Sequence, residues 1–284
     1  MLAVSGGVDS MVLLDLLSNL PEVDFVIAHF NHGIRNDSIE DEELVVLAAS
    51  RYGRPLEVGQ AKLGPKASED LARRARYDFL EKVLQKHQAK AIITAHHQDD
   101  LIETALINTL RGTNRRGLTA LADNPKIVRP LLDFPKSEII KYAKTNKLEW
   151  REDSTNQDTD YLRNYIRLKI LPNLSLVQRQ GLVSNLQSLS NVNAEINGKV
   201  EALAKLLIKK DQIDRQLFAQ LPDKISRELL VHWLRQAQLG EIDKYEVERL
   251  NLALKTARPG TKHAVKGQVR LVVKDQTAGF QITP

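Results

Sequence analysis

The chain has 284 residues, 42% of them hydrophobic and 27% charged, with a formal net charge of +5. That is the balance of an ordinary globular protein, long enough for one large or two moderate domains. It contains no cysteine, which excludes disulfides, zinc–thiolate sites, iron–sulfur clusters and persulfide chemistry. No apolar run approaches the roughly 20 residues that span a bilayer, and no basic stretch precedes Asp9, so neither a membrane span nor a signal peptide is expected and a cytoplasmic location is. The sequence pI of about 9.2 suits a polyanionic partner, but it suits many ordinary enzymes as well.

The chain opens on a short apolar run, Leu2-Ala3-Val4, then Ser5-Gly6-Gly7-Val8-Asp9-Ser10, then the helical pattern Met11 to Leu17. Two glycines permit a tight turn and a close backbone approach, and the N–H groups of the following helix favour an anion. The loop reads either as a phosphate cradle or as a plain strand-to-helix turn. It lacks the Gly-Lys-Ser/Thr of the common nucleotide P-loop and the third glycine of the dinucleotide fold. Asp9 beside an anion site makes sense if a divalent metal bridges it to phosphate.

Further strand patterns follow at Phe25–Phe30, Pro55–Gly59 and Lys90–Ala95, separated by helical patterns starting near Ser38 and Ser68. This alternation predicts a doubly wound parallel sheet covered on both faces, an α/β architecture whose ligands bind beyond the carboxyl ends of the strands. Three polar clusters follow such ends: the Ser-Gly-Gly loop, His29 to Arg35, and His96 to Glu103. In the last of these, Asp99, Asp100 and Glu103 share one side of a helix begun near Gln98. With His96 they can hold a metal, or hold an ammonium group and remove its proton, and acids in a first helical turn also simply suit the dipole. His29 and His32 suit a base contact or a structural hydrogen bond better than zinc.

Arg111, Arg115 and Arg116 lie in a short loop bounded by glycines, suited to phosphates or to a solvated helix end. Leu162, Ile166 and Ile170 form one helical stripe, and Arg163 and Arg167 form its neighbour. With Tyr161 and Tyr165 interleaved, this is either a nucleic-acid contact face or an ion-pair face. From Ser175 the pattern changes to one long helix, then short helices such as Ile225 to Gln236, then an alternating strand pattern in Lys262–Thr283. The expected division is therefore 1–175, a linker helix at 176–200, and a small α+β domain at 201–284.

Ser5 to Ser10 resembles the Ser-Gly-Gly-x-Asp-Ser motif of the PP-loop (N-type) ATP pyrophosphatases, enzymes that adenylate a substrate and release pyrophosphate. Taken with His29-Phe30-Asn31-His32-Gly33-Ile34-Arg35, the His96 to Glu103 cluster, Leu110-Arg111-Gly112-Thr113, Arg129-Pro130-Leu131-Leu132 and Glu152-Asp153-Ser154-Thr155-Asn156, residues 1–172 are similar to the tRNA(Ile)-lysidine synthetases. Only Met1 to Val4 precede the first motif, fewer residues than that family usually has.

The resemblance implies a Rossmann-like PP-loop domain using ATP and Mg²⁺. Its partners would be isoleucine tRNA with a CAU anticodon and free L-lysine, and a homodimer is compatible with it. ATP would be bound by Ser5, Gly6, Gly7, Val8, Asp9, Ser10, His29 and Arg35, with Asp9 also on the metal. Catalysis would fall to Asp9, His96, Asp99, Asp100, Glu103 and Arg111. Arg115, Arg116, Arg163, Asn164 and Arg167, and the second domain, would contact tRNA. Two other readings stay open: a PP-loop enzyme adenylating a small acid or amide, and a non-catalytic RNA- or nucleotide-binding module.

Overall fold

The computed structural model describes residues 1–33, 38–61, 63–64, 69–121, 126–152, 161–239 and 243–282. Arg35, the start of the helix near Ser68, and Asp153 to Asn156 lie outside them. The chain divides into two compact units, Met1–Ser190 and Asn191–Pro284.

The first unit runs β1 (Leu2–Ala3), α1 (Val8–Ser18), β2 (Ile27–Asn31), α2 (Ser38–Arg51), β3 (Leu56–Gln60), α3 (Glu69–Lys86), β4 (Ile92–Ile93), α4 (Gln98–Leu110), the single turn α5 (Arg115–Leu118), β5 (Ile127–Val128) and α6 (Lys136–Thr145). The strands are parallel, in the order β3-β2-β1-β4-β5. The chain therefore moves outward from β1 on one side and resumes on its other side at β4. In such sheets the crevice beyond the strand ends at that switch, here between β1 and β4, is where ligands bind.

Burial explains the layers. α1 is apolar on nearly every side, because Val8, Met11, Val12, Leu13, Leu14 and Leu17 are all buried. It covers one sheet face with α2 and α6, in a core that includes Leu2, Val45, Ala48, Ile139 and Ala143. α3 covers the opposite face through Leu80 and Val83, against Met1, Ala28, Ile92 and Ile127. Gly59 is required there, since a Cβ would lie 2.5 Å from the Phe79 ring. The expected single helix around Leu162–Ile170 is instead α7 (Leu162–Tyr165), a π-helical stretch Ile166–Ile170 and a 3-10 turn Leu171–Asn173. Its buried Ile166 and Leu171 pack against Ile102 and Ile107 of α4 and Val183 of the long helix α8 (Leu176–Leu207).

The second unit contains β6 (Ile208–Lys209), β7 (Gln212–Asp214), α9 (Arg215–Gln220), α10 (Asp223–Gln236), α11 (Lys244–Thr256), β8 (Lys262–Lys266), β9 (Val269–Val273) and β10 (Thr277–Ile282). Its antiparallel sheet has the order β6-β7-β10-β9-β8. Phe218, Leu229, Leu230, Trp233, Leu250 and Leu271 form its core. This unit is α+β, and the alternation in Lys262–Thr283 resolves into three strands joined by turns.

Candidate active site

The Ser5–Ser10 loop leaves the end of β1. Gly6 has φ +89°, a left-handed conformation that disfavours any side chain. The two hydroxyls hold the loop together. Ser5 N–H donates to Ser10 Oγ at 3.1 Å, Ser10 Oγ–H donates to Gly7 O at 2.9 Å, and Gly7 N–H reaches Ser5 Oγ at 3.4 Å. No side chain caps α1, so its first-turn N–H groups remain for an anion. From behind, Arg151 N–H donates to Gly6 O at 3.1 Å while its Nε–H donates to Asp41 Oδ1 at 3.0 Å. Ser5, Gly7, Val8, Asp9 and Ser10 line a cleft of about 830 Å³ whose wall also includes His29, His96 and His97.

Asp9, in the first turn of α1, faces the first residue of α6. Lys136 Nζ lies 2.6 Å from Asp9 Oδ1 and 2.7 Å from Oδ2. The approach of the two helices is fixed deeper in the fold by Asp15 of α1, which accepts the hydroxyl of Tyr142 in α6 and that of Tyr52, each at 2.7 Å. Burial, and then the bond to Asp15, push both phenols up to about 12.

α4 begins at the end of β4. His97 is its N-cap: Asp99 N–H donates to His97 Nδ1 at 3.2 Å, and His97 N–H donates to Asp100 Oδ2 at 2.9 Å, which completes a capping box. With Nδ1 accepting, the proton of neutral His97 belongs on Nε2. That atom stands 3.7 Å from Asp9 Oδ2 and 3.4 Å from Asp100 Oδ2. His97 thus bridges the cradle and the acidic cluster. Burial pushes the Asp100 carboxyl up, but His97, His96 and Arg167 outweigh it and hold the group below the usual carboxylate range. His96, bonded to Thr94 Oγ1 through Nδ1 at 2.8 Å, is held neutral. Burial is the main cause of its pKa of about 4, Asp100 opposes the shift, and Arg129, Arg76 and Arg73 add to it.

The three acids of the cluster are already held. Glu103, fully buried, takes Arg167 in a fork: Nε–H to Oε1 at 2.7 Å and Nη2–H to Oε2 at 2.9 Å. Arg167 Nη2–H also reaches Asp100 Oδ1 at 3.2 Å. Burial pushes Glu103 up while Arg167 draws it back, and Glu103 in turn helps raise Arg167 against its own burial. Asp99 takes Arg179 of α8, at 3.1 Å to each carboxylate oxygen. Arg167 stands in the π-helical stretch, a rare local geometry that often occurs at functional sites.

The remaining expected residues are placed as follows. His29 is buried in the cleft wall. Its Nδ1 is 2.9 Å from Val4 O, so the proton sits there, and Nε2 is buried with no partner. Burial lowers its pKa, against Val4 O, Glu42 and Asp41, so Nε2 presents a lone pair to a donor. Arg111 is the C-cap of α4, about 20 Å from the start of that helix at 1.5 Å per residue. Arg111, Arg115, Arg116, Arg163 and Asn164 do not line the cleft, whereas Arg167 does. Arg163 acts on Glu103 electrostatically.

Three residues were not anticipated: Lys136, Arg151 and Arg179. Lys136 left one signal, because a cation at the first position of a helix opposes the dipole and needs a partner. Arg151 and Arg179 left none, since their carboxylates lie 110 and 80 residues away in sequence.

A PP-loop domain family model matches residues 1–174, and the chain belongs to that family. It is similar to the tRNA(Ile)-lysidine synthase of Thermotoga maritima, at 31% identity over 87% of this chain and 62% of that protein. It is also similar to that of Streptococcus sanguinis, at 34% identity over 96% of this chain and 63% of that protein. The chain thus spans about three fifths of the length of these curated relatives. Among solved structures, a U34-tRNA thiolase from Methanococcus maripaludis shares the fold, with a TM-score of 0.56 at 19% identity, covering 66% of this chain and 71% of that one. Among the described residues, no helix is long and apolar enough to cross a membrane.

Proposed function

We propose that this chain carries the ATP-using chemistry of lysidine formation on isoleucine tRNA. The family implies ATP. The curated relatives supply the RNA and the product, and a lysine donor follows from that product. The observation that supports it most is His97, which joins the phosphate cradle at Asp9 to the acidic cluster at Asp100.

In this reading the ring carbonyl oxygen of the wobble cytidine in the CAU anticodon attacks the α-phosphorus of ATP, and pyrophosphate leaves into the Ser5–Ser10 loop. Lys136 neutralises charge there. Mg²⁺ fits the donor set: among the described residues no group of three acids or histidines could hold a metal unaided, but Mg²⁺ commonly takes one carboxylate, here Asp9, with phosphate oxygens and water. When bound it supplies further charge neutralisation on the phosphates. His29 Nε2 accepts a donor from the nucleotide, and Arg35 is assigned to the same ligand.

The ε-amine of free L-lysine then attacks the adenylated carbon and AMP departs. Free lysine is mostly protonated at neutral pH, so the site must hold an ammonium and take its proton. Asp99, Asp100 and Glu103, with neutral His96, are the groups for this, and lysine competes for these carboxylates with Arg167 and Arg179. Arg111, Arg115 and Arg116, at the far end of α4, are assigned to the RNA with Arg163, Asn164 and the second unit. A homodimer and a cytoplasmic location accompany the proposal.

ATP–pyrophosphate exchange with and without tRNA tests it. Exchange that requires the RNA supports the reading. Exchange without RNA favours an enzyme adenylating a small acid or amide, and nucleotide binding without turnover favours a binding module.

A further inference from the structure

Three arginines meet beside His96 and have no part in the chemistry above. Arg73 and Arg76 stand three residues apart on α3 and so share a helix face. Their guanidinium carbons lie 5.2 Å and 5.6 Å from the centroid of the Tyr77 ring. Tyr77 itself packs on the core beneath α3, so the ring is a fixed platform for both cations. Arg129 follows β5. It donates through Nη1 to Ile127 O at 3.4 Å, while its Nε is buried and has no hydrogen-bond partner.

Like charges three residues apart on a helix repel, and this group adds a third. The forces on Arg129 show how little offsets it: burial lowers its pKa, Tyr77 raises it and Arg73 lowers it again, with no carboxylate among these causes. Asp100 does act on His96, but it is engaged by Arg167 and His97. Arg76 and Tyr77 line the cleft, and Arg73 is exposed beside them. A rigid, partly desolvated set of guanidinium groups matches an oxyanion such as phosphate.

The sheet separates this cluster from the cradle. The cradle leads into α1 on one face, whereas Arg73, Arg76 and Tyr77 belong to α3 on the other. The pyrophosphate site already has the first turn of α1 and Lys136.

We propose that Arg73, Arg76 and Arg129, organised by Tyr77, form a second anion site on the rim of the cleft that takes a phosphodiester of the RNA strand next to the reacting nucleotide. This rests on the reading that the substrate is RNA. It gives the flipped-out nucleotide a backbone anchor on the α3 side, while ATP is held on the α1 side.

The test uses the full chain, an anticodon stem–loop RNA and ATP, each titrated separately, with RNA binding measured across a salt series. Arg73→Gln and Arg76→Gln are each expected to weaken RNA binding about three- to tenfold. Each should also reduce the slope of log K against log salt by about 0.7, the loss of one phosphate contact, while ATP affinity stays unchanged. Arg73→Lys should restore most of the slope. An unchanged RNA slope in both glutamine variants, with parent-like ATP affinity, overturns the anion site. Weaker ATP binding with unchanged RNA binding shows that the cluster serves the nucleotide and overturns the RNA assignment. If the parent chain itself binds no RNA, the RNA reading fails and this proposal fails with it.

Discussion

Lys136 sets its ammonium 2.6 Å and 2.7 Å from the two oxygens of Asp9, joining the first turn of α6 to the first turn of α1 at the mouth of the phosphate cradle. Both side chains are about 30% exposed, at 32% and 27%, so the pair contributes at most about 1 kcal/mol to stability. Its value lies in where it places a cation. Lys136→Met is expected to lower the rate of pyrophosphate release about 10²- to 10³-fold while moving the melting temperature by only a few degrees. Steady-state kinetics beside thermal melts check this. A stable variant with parent-like pyrophosphate release would make the pair structural.

Glu103 and Arg167 make the opposite case. Glu103 is fully buried and Arg167 is 34% exposed. Removing one partner strands a charge, so Arg167→Met is expected to cost about 2–3 kcal/mol, below the range for fully buried pairs because Arg167 reaches solvent. The double variant Arg167→Met with Glu103→Leu should recover most of that loss. Denaturant titrations of the two single variants and the double variant give the coupling. Additive losses would mean that the fork does not hold α4 to the π-helical stretch.

His96 supplies the pH dependence. Its folded pKa of about 4 lies below the ordinary 6.5. Between those values the unfolded chain holds more protons, so stability is intact above pH 6.5 and falls as the pH drops to about 4. The loss from this group is on the order of 3 kcal/mol. His96→Gln should flatten the stability curve in that window, as read from denaturation midpoints. An identical slope in parent and variant would contradict the burial of a neutral imidazole.

Asp15 ties the helix carrying Asp9 to the helix carrying Lys136. Its two phenol partners ionise near pH 12. In Asp15→Asn both should titrate closer to pH 10 by ultraviolet absorbance, and KM for ATP should rise as Lys136 loses its register. Unchanged phenol titration would contradict the bonds, and unchanged KM would free the cradle from this support.

Much of the site was legible in the sequence because its parts are local. The Ser5–Ser10 loop and the start of α4 each carry strand, turn and helix signals within a dozen residues. β5, β6 and β7 left no such trace, since strands of two or three residues are too short to show alternation. The binding state of the acids was equally hidden. Asp99, Asp100 and Glu103 look free in sequence, yet each meets an arginine 64 to 80 residues later. Arg163 and Arg167 share a stripe on an ideal helix, but the π-helical stretch turns Arg167 into the cleft wall. Only packing decides such pairings.

The central claim is most directly tested by mass analysis of tRNA nucleosides after the chain is incubated with isoleucine tRNA, ATP and L-lysine. The account predicts a cytidine heavier by one lysine less one water, formed only when both ATP and lysine are present and lost in Asp9→Ala. Unmodified cytidine accompanied by pyrophosphate release that needs no RNA would contradict it.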